Sequence, residues 1–575
     1  MPSAVNERVV TSDEARSSFS IDQRRTSPAA LLSGQFTRDR VPLRKPVNAG
    51  LIAELAAERF GRTPVYLDSP FLWDPQQRLE LDYVEFAELV RNFSAVLYEA
   101  GVRRWDRVAI VKTPNYDIQA LAAAAARIGA IPALISAKLD SDIINILLER
   151  VRPKVVITDT EVARYVGLTE ARLRELSAIA IAPIDGGVPL EKLWGATVPD
   201  PSPLREEDPM VITHTSSTTG VSKLAEASAK GVSWIGLMES IFPFAHGPNE
   251  LFGSVISHVH IRAVINFLAT FSRGTPLLGV ADPSNENIAD IFGRYRPTIV
   301  EAHPNKFMDW EEIADHPNDP FASVRVYFNT FDAIHPRTIQ RLLEASKRRF
   351  PVWLQCYGMT EVQAVTVRPY TRASAARSAR DNSRSVGWEL PGVRARIADP
   401  ETGKRRRDQS EPGMIQVKTP SRALSFVGTP EKFSERRHGK WFDTGDWGRR
   451  GKWGQLEVLD RVADRIEGVQ SCLWIEDQLL DGIPDAEEIV VVPDGDGKPV
   501  PVICMRPGRS LDPDVWQKAS RGITGLGEPF EVTPEALHRT ATAKARRYLL
   551  TELVKREDHR RAQELQREIV LRDGA

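Results

Sequence analysis

Residues 213–223 read Thr-His-Thr-Ser-Ser-Thr-Thr-Gly-Val-Ser-Lys, which sets hydroxyls, one glycine and a lysine into a short stretch after an apolar run. A loop of that kind can turn backbone N–H groups, hydroxyls and an ammonium toward phosphate oxygens. Its candidate ligands are Thr215, Ser216, Ser217, Thr218, Thr219, Gly220 and Lys223. The glycine spacing ahead of a Gly-Lys pair is missing, so this is not the P-loop of an ordinary NTPase. By itself the stretch is as readily a solvated Ser/Thr turn.

Three more clusters follow. Tyr357-Gly358-Met359-Thr360-Glu361 comes after an expected strand at 352–356. There an aromatic face can cover a base, a hydroxyl can bond a phosphate, and a carboxylate can hold Mg2+ against a triphosphate. Trp441-Phe442-Asp443-Thr444-Gly445-Asp446 puts a carboxylate on a turn, with Asp460-Arg461 after a glycine-rich stretch. Thr540-Ala541-Thr542-Ala543-Lys544-Ala545-Arg546-Arg547 is the last. Read singly, these are a structural turn, an Asp-stabilised hairpin and a basic helix start with an exposed lysine.

In this order the four stretches resemble the motifs of the adenylate-forming superfamily, which includes the acyl-CoA synthetases, luciferases and peptide-synthetase adenylation domains. The resemblance spans roughly residues 51–550. Ser217, Ser222, His538 and Ala543 depart from the usual Gly, Pro, Pro and Gly. Ser217 gives up the freedom to take a positive φ. The resemblance implies ATP and Mg2+ as cofactors, with Lys544, Thr360 and Glu361 as catalytic residues and Glu361 as the metal ligand. It implies a nucleotide site of the 215–223 loop, Tyr357 and Gly358, with Asp446 accepting the ribose hydroxyls and Arg461 on the ribose or phosphate side. Thr330-Phe331-Asp332 stands where Gly-Gly-Ala is usual beside adenine, which reshapes the pocket. The substrate is expected among 234–244, His260, Met359 and Gln363. Asp332 would repel a substrate acid unless paired, or would meet an amine on the substrate.

The reaction implied is ATP-dependent activation of a small aromatic or apolar carboxylic acid as acyl-AMP, with release of pyrophosphate. The acyl group then passes to the thiol of CoA or of carrier-protein phosphopantetheine, making an acyl carrier protein a candidate partner beside the small-molecule acid. The segment after the expected hinge Ala463 is about two residues shorter than usual, which motivates an alternative without a thiol step, activating an unusual oxyanion such as nitrite for diazotisation. A non-catalytic nucleotide-binding relative is a further alternative. Thr219, Glu361, Asp446, Arg461 and Lys544 are all retained against it.

These residues need a scaffold. From Leu51 onward the pattern alternates, with a helix at 84–97, a strand at 107–112, an Ala-rich helix at 120–128 and strands at 131–135, 155–158 and 210–214. Such alternation predicts helices flanking largely parallel sheets, with ligands at the strand ends. Glycines at 439–454 predict turns between short strands, and 489–493 and 500–505 read as later strands. Arg368, Arg372, Arg377, Arg380 and Arg384 in a Ser- and Ala-rich stretch predict a mobile solvated loop. The fold class is α/β: a large N-terminal domain of flanked β-sheets at 51–462 and a small mobile C-terminal α+β domain at 463–575 carrying Lys544, with 1–50 a flexible extension.

Composition agrees with that scale. A chain of 575 residues exceeds one ordinary domain, and 42% hydrophobic with 27% charged residues describes a globular protein. A net charge of -1 gives no electrostatic case for nucleic acid or anionic membrane as partner. The three cysteines lie at no metal or redox spacing, and no long apolar run or signal core appears, so the expected location is cytoplasmic.

Overall fold

The computed structural model describes residues 47–215, 221–241, 247, 249–381, 384–506, 508–534, 537, 539 and 544–556. The expected extension up to residue 46, Ser216, Ser217, Thr218, Thr219 and Gly220 of the first loop, and His538 with 540–543 of the last motif lie outside them.

Sheets of fourteen, eight and three strands carry the architecture. In the largest, Val352–Met359, Val326–Asn329, Ile299–Ala302, Phe252–Val255, Leu277–Gly279 and Pro64–Leu67 run parallel. In the second, Pro209–His214, Ile131–Leu134, Arg107–Ile110, Val155–Ile157 and Ile179–Ile181 do the same. The expected strands in these regions fall within a few residues of those observed. The carboxyl ends of the two parallel sets therefore lead into His303, Thr330 and Thr215, where open α/β sheets place ligands.

The expectation of largely parallel sheets needs correcting beyond Met359. There the large sheet continues antiparallel through Gln363–Tyr370, Ser385–Glu389, Leu456–Arg461, Trp441–Arg450 and Gly413–Lys418. The glycines of 439–454 do mark turns, Gly439 between Arg437–His438 and Trp441–Arg450, and Gly451 with Gly454 between Trp441–Arg450 and Leu456–Arg461, but the strand they flank, Trp441–Arg450, is ten residues long rather than short. Gly448 marks a bulge in it, because a Cβ at that position would lie 2.2 Å from the Glu457 carbonyl oxygen. The arginine-rich stretch is likewise ordered as the end of Gln363–Tyr370 and the helix Arg372–Asp381. Arg372 donates to the carbonyls of Leu343 (3.0 Å) and Ser346 (2.6 Å), which ties this helix to the end of Pro336–Ala345.

The core is built around the helix Asp117–Arg127, every residue of which is buried. Its alanine run lets Ala49–Phe60 and Tyr83–Glu99 approach closely, and its final Arg127 is satisfied by Glu54 at 3.3 Å and the Pro199 carbonyl at 2.6 Å.

The three-stranded sheet, Ala486–Pro493, Pro499–Met505 and Phe530–Val532, forms a small α+β unit. Ile475 and Leu479 of Cys472–Gly482 pack on one face, and Leu550 and Leu553 of Arg547–Arg556 on the other. Asp460 of the large sheet accepts the N–H groups of Cys472 (3.0 Å) and Leu473 (3.2 Å), capping the first helix of this unit. His335 meets Asp481 at 2.9 Å, Lys544 meets Asp332 at 3.3 Å, and Arg546 meets Asp140 at 3.7 Å across the junction. Among the described residues no helix is long and apolar enough to cross a membrane.

Candidate functional site

A cavity of about 370 Å³ opens where the strand ends of both large sheets face the small unit. Thr215 and Lys223 line it, and their backbones close the neck of the first loop: Thr215 N–H donates to the Lys223 carbonyl (2.8 Å) and Lys223 N–H to Thr215 Oγ1 (3.2 Å). The Lys223 ammonium lies 5.4 Å from the Phe426 ring centre. Burial, then the neighbouring Arg436 charge, pulls its pKa below the ordinary lysine range.

Tyr357, Gly358, Met359, Thr360, Glu361 and Gln363 line the same cavity because Val352–Met359 turns there into Gln363–Tyr370. The approach is so close that a Cβ on Gly358 would lie 2.1 Å from the Gln363 carbonyl oxygen, and Gln363 itself is held at φ +57. Glu361 is buried, and one of its oxygens accepts from Arg436 Nη1 at 2.9 Å. Arg436 also donates to the Asp443 carbonyl (2.9 Å) and reaches the Met359 sulfur (3.8 Å). One arginine thus joins the 357–361 motif to the 441–446 motif. Sequence reading missed it, since Arg436-Arg437 looks like ordinary surface charge; its position just ahead of Trp441 was the available signal.

Asp446 and Arg461 are cross-strand neighbours, paired at 3.0 Å, and the Tyr357 hydroxyl donates to the other Asp446 oxygen at 2.5 Å. Burial and the Asp446 charge push the Tyr357 phenol well above its usual range, while Asp446 raises that of Arg461. Asp446 is buried behind these partners, and each oxygen keeps a second lone pair for another donor. Lys544 enters the cavity from the small unit. Among the described lining residues Lys223, Arg262, Lys432, Arg436, Arg461 and Lys544 face a single carboxylate, Glu361. That balance suits a polyanion. It also suits Mg2+ carried by one: the second Glu361 oxygen has no hydrogen-bond partner among the described residues, and no cluster of three or more metal-ligating side chains occurs among them.

A second group of lining residues surrounds His260, which both begins the helix Ile261–Arg273 and faces the cavity. Its Nδ1 accepts the Arg262 N–H at 3.1 Å, so Nε2 carries the hydrogen. Burial pushes its pKa down to about 3, leaving a neutral imidazole. Phe331 stands between His260 and His303, with ring centres 4.7 and 3.9 Å away. Beneath them Arg262 is held by Glu301 through bonds of 2.6 and 2.9 Å and by Glu239; Asn266 (2.8 Å) and Thr330 (2.9 Å) also donate to Glu301. Both amide atoms of Gln363 are buried without a hydrogen-bond partner among the described residues, at 4% exposure of the residue. Burial pushes the Cys356 thiol up to about 12, so it is no nucleophile. Thr330 and Phe331 line the cavity, whereas Asp332 sits just beyond, on Lys544. Of the 234–244 stretch, no described residue lines it; the stretch reaches the site through Glu239 on Arg262.

The AMP-binding enzyme family model matches residues 54–426, and the chain belongs to this family of ATP-dependent, adenylate-forming ligases. The chain is 36% identical over 531 residues to 3-amino-2-hydroxy-4-methoxybenzoate diazotase of Streptomyces cremeus, covering 88% of this chain and 95% of the relative. ATP-bound MatB of Rhodopseudomonas palustris shares the fold with a TM-score of 0.74 at 22% identity, over 89% of this chain and all of MatB. The anthranilate CoA ligase AuaEII in complex with anthranoyl-AMP superposes with a TM-score of 0.76 at 18% identity, over 90% of this chain and 98% of that one.

Proposed function

We propose that this chain adenylates nitrite and transfers the nitrosyl group to the amine of a small aromatic substrate, a diazotase-type reaction without a thiol step. The observation that carries the reading is the chemistry of the second group: a buried amide at Gln363 with no partner among the described residues, beside the Arg262, Glu301 and Glu239 network, a polar surface for a substituted aryl amine rather than an apolar acyl slot. The diazotase relative, matched over nearly its whole length, supports it. So does the short segment after Ala463, where a thiol would otherwise approach.

Lys223 and the loop ahead of it cradle the β- and γ-phosphates, Tyr357 covers adenine, and Asp446 with Arg461 takes the ribose. Glu361 would hold Mg2+ brought in with the triphosphate, and the ion would supply charge neutralisation there. Thr360 and Lys544 hold the α-phosphate. A nitrite oxygen attacks the α-phosphorus, the bond to the β-phosphate oxygen breaks, and pyrophosphate leaves. The amine then attacks nitrogen, the N–O bond to AMP breaks, and the attacking nitrogen releases one proton to solvent to leave a nitrosamine, which tautomerises to the diazohydroxide, gains a proton and loses water to give the diazonium ion. An aryl amine is neutral at pH 7, so no base has to precede its attack; neutral His260 offers its Nε2–H as a donor. The division into a large domain at 51–462 and a small one at 463–575, with Ala463 as hinge, belongs to this reading, since Lys544 has to enter and leave the site.

Pyrophosphate release measured across aryl amines with and without nitrite, with azo coupling of the product, tests it. Nitrite-dependent release and a coupled dye are expected. Pyrophosphate release driven instead by a small aromatic or apolar acid, with CoA or a carrier-protein thiol consumed and nitrite inert, would restore the acyl-transfer reading.

A further inference from the structure

A second, smaller cavity of about 120 Å³ adjoins the first. The two meet at a pair of rings: His303 lines the small cavity, and Phe331, 3.9 Å from it centre to centre, lines the large one. The small cavity is formed by residues following the strands Arg107–Ile110, Ile131–Leu134, Phe252–Val255, Leu277–Gly279 and Ile299–Ala302, so both large sheets contribute to it. Its volume is well below the roughly 300 Å³ at which pockets for organic ligands begin.

Its charge is of one sign. Lys112, Lys138 and Lys306 line it, and no described carboxylate does. Lys112 is balanced by Asp117 (2.9 Å) and Lys306 by Asp309 (2.6 Å), both from behind, while Lys138 is exposed and has no ion-pair partner among the described residues. Two histidines complete the wall. His303 Nε2 accepts the Ser257 N–H at 3.0 Å, which leaves Nδ1–H as a buried donor with no acceptor among the described residues. His258, 2% exposed, donates from Nε2 to the Val280 carbonyl (3.1 Å) and leaves Nδ1 buried with no partner among the described residues. A cationic recess of this size, with a buried imidazole N–H facing no described acceptor, suits a small anion, and a water travelling with the ion would satisfy His258.

We infer that this cavity is a binding site for a small inorganic oxyanion, which reaches the reacting phosphate past the His303 and Phe331 rings. The identification of that anion as nitrite rests on the proposed function; the existence of the site does not. None of the described lining residues comes from the small unit, so the recess stays accessible when Lys544 moves.

Lys138→Glu reverses the unpaired charge on an exposed side chain without touching a packed one. Two measurements on the full chain decide the matter: steady-state kinetics of wild type and variant, and diffraction from crystals of each soaked in sodium bromide, whose anomalous signal marks a small anion. The expected result is a KM for nitrite raised about tenfold, with kcat at saturating nitrite and KM for ATP unchanged, together with a bromide peak beside His303 Nδ1 in wild type that weakens in the variant. If wild type turns over nitrite while its KM is unaffected by Lys138→Glu and no bromide peak appears, the anion site is overturned and the proposed function stands. If wild type ignores nitrite, the proposed function falls and the bromide peak alone decides: present, it upholds the site; absent, it overturns it.

Discussion

Around Tyr357, Glu361 and Asp446 the charged and polar groups have already met one another; around His260, Arg262 and Gln363 several buried polar atoms have not. In the first cluster Asp446 bridges Tyr357 and Arg461, and Arg436 bridges Glu361 and Asp443. In the second, the Gln363 amide, one Glu239 oxygen and the Asn266 side-chain oxygen are buried without partners among the described residues. Buried polar atoms are normally satisfied, and leaving one bare costs about 1–3 kcal/mol. The contrast separates a preorganised cluster, which suits a ligand common to a whole family, from a cluster that awaits the polar groups of one substrate.

Lys544→Ala probes the preorganised side most severely. It should lower the adenylation rate by about 10²–10³, the cost of one transition-state donor, with ATP binding by calorimetry unchanged. A loss of only a few-fold would place the lysine outside the chemistry. Arg436→Ala comes next. Freeing Glu361 and Met359 from their common anchor should weaken Mg·ATP binding about 10- to 100-fold, as for other outer supports of a metal ligand, with KM for the amine little changed.

The unsatisfied side should answer differently. Gln363→Leu should lower kcat/KM for the amine about tenfold or more while leaving KM for ATP alone, and melting temperature should hold or rise because no side-chain hydrogen bond to the described residues is lost. A melting temperature that falls with ATP affinity would put Gln363 in the structural frame instead. A separate effect, on stability rather than activity, is expected with pH. Burial holds His214 and His258 down to about 4 and His260 and His303 down to about 3. The unfolded chain binds protons on these groups below pH 6.5 and the folded chain does not, so their contribution is complete above pH 6.5. It is lost as pH falls toward 4, at up to about 1.4 kcal/mol per pH unit for each histidine. Thermal melts from pH 7 to 5 should show stability declining, and a flat profile would mean the rings are hydrated.

The same contrast sets what the sequence could disclose. Thr215, Lys223, Tyr357 and Glu361 reach one cavity because their motifs adjoin strand ends, and short-range order carries them there; Lys544 joins them from the small unit. The Arg262 network was not legible: its partners Glu239 and Glu301 lie 23 and 39 residues away on a helix and a strand, and only the packing of the two brings them together. The antiparallel turn after Met359 was hidden for a related reason. Its signal is the close approach at Gly358, a property of two strands at once. The arginines at 368–384 read as loop from composition, yet the buried Ala375 and the carbonyl bonds of Arg372 hold a helix there.

The most direct test follows one oxygen atom. Nitrite labelled with 18O, turned over with ATP and the preferred aryl amine, should yield AMP bearing a single 18O on its phosphate by mass spectrometry, because the phosphorus–oxygen bond made in the first step survives the second. AMP that stays unlabelled while diazonium product accumulates would contradict the account.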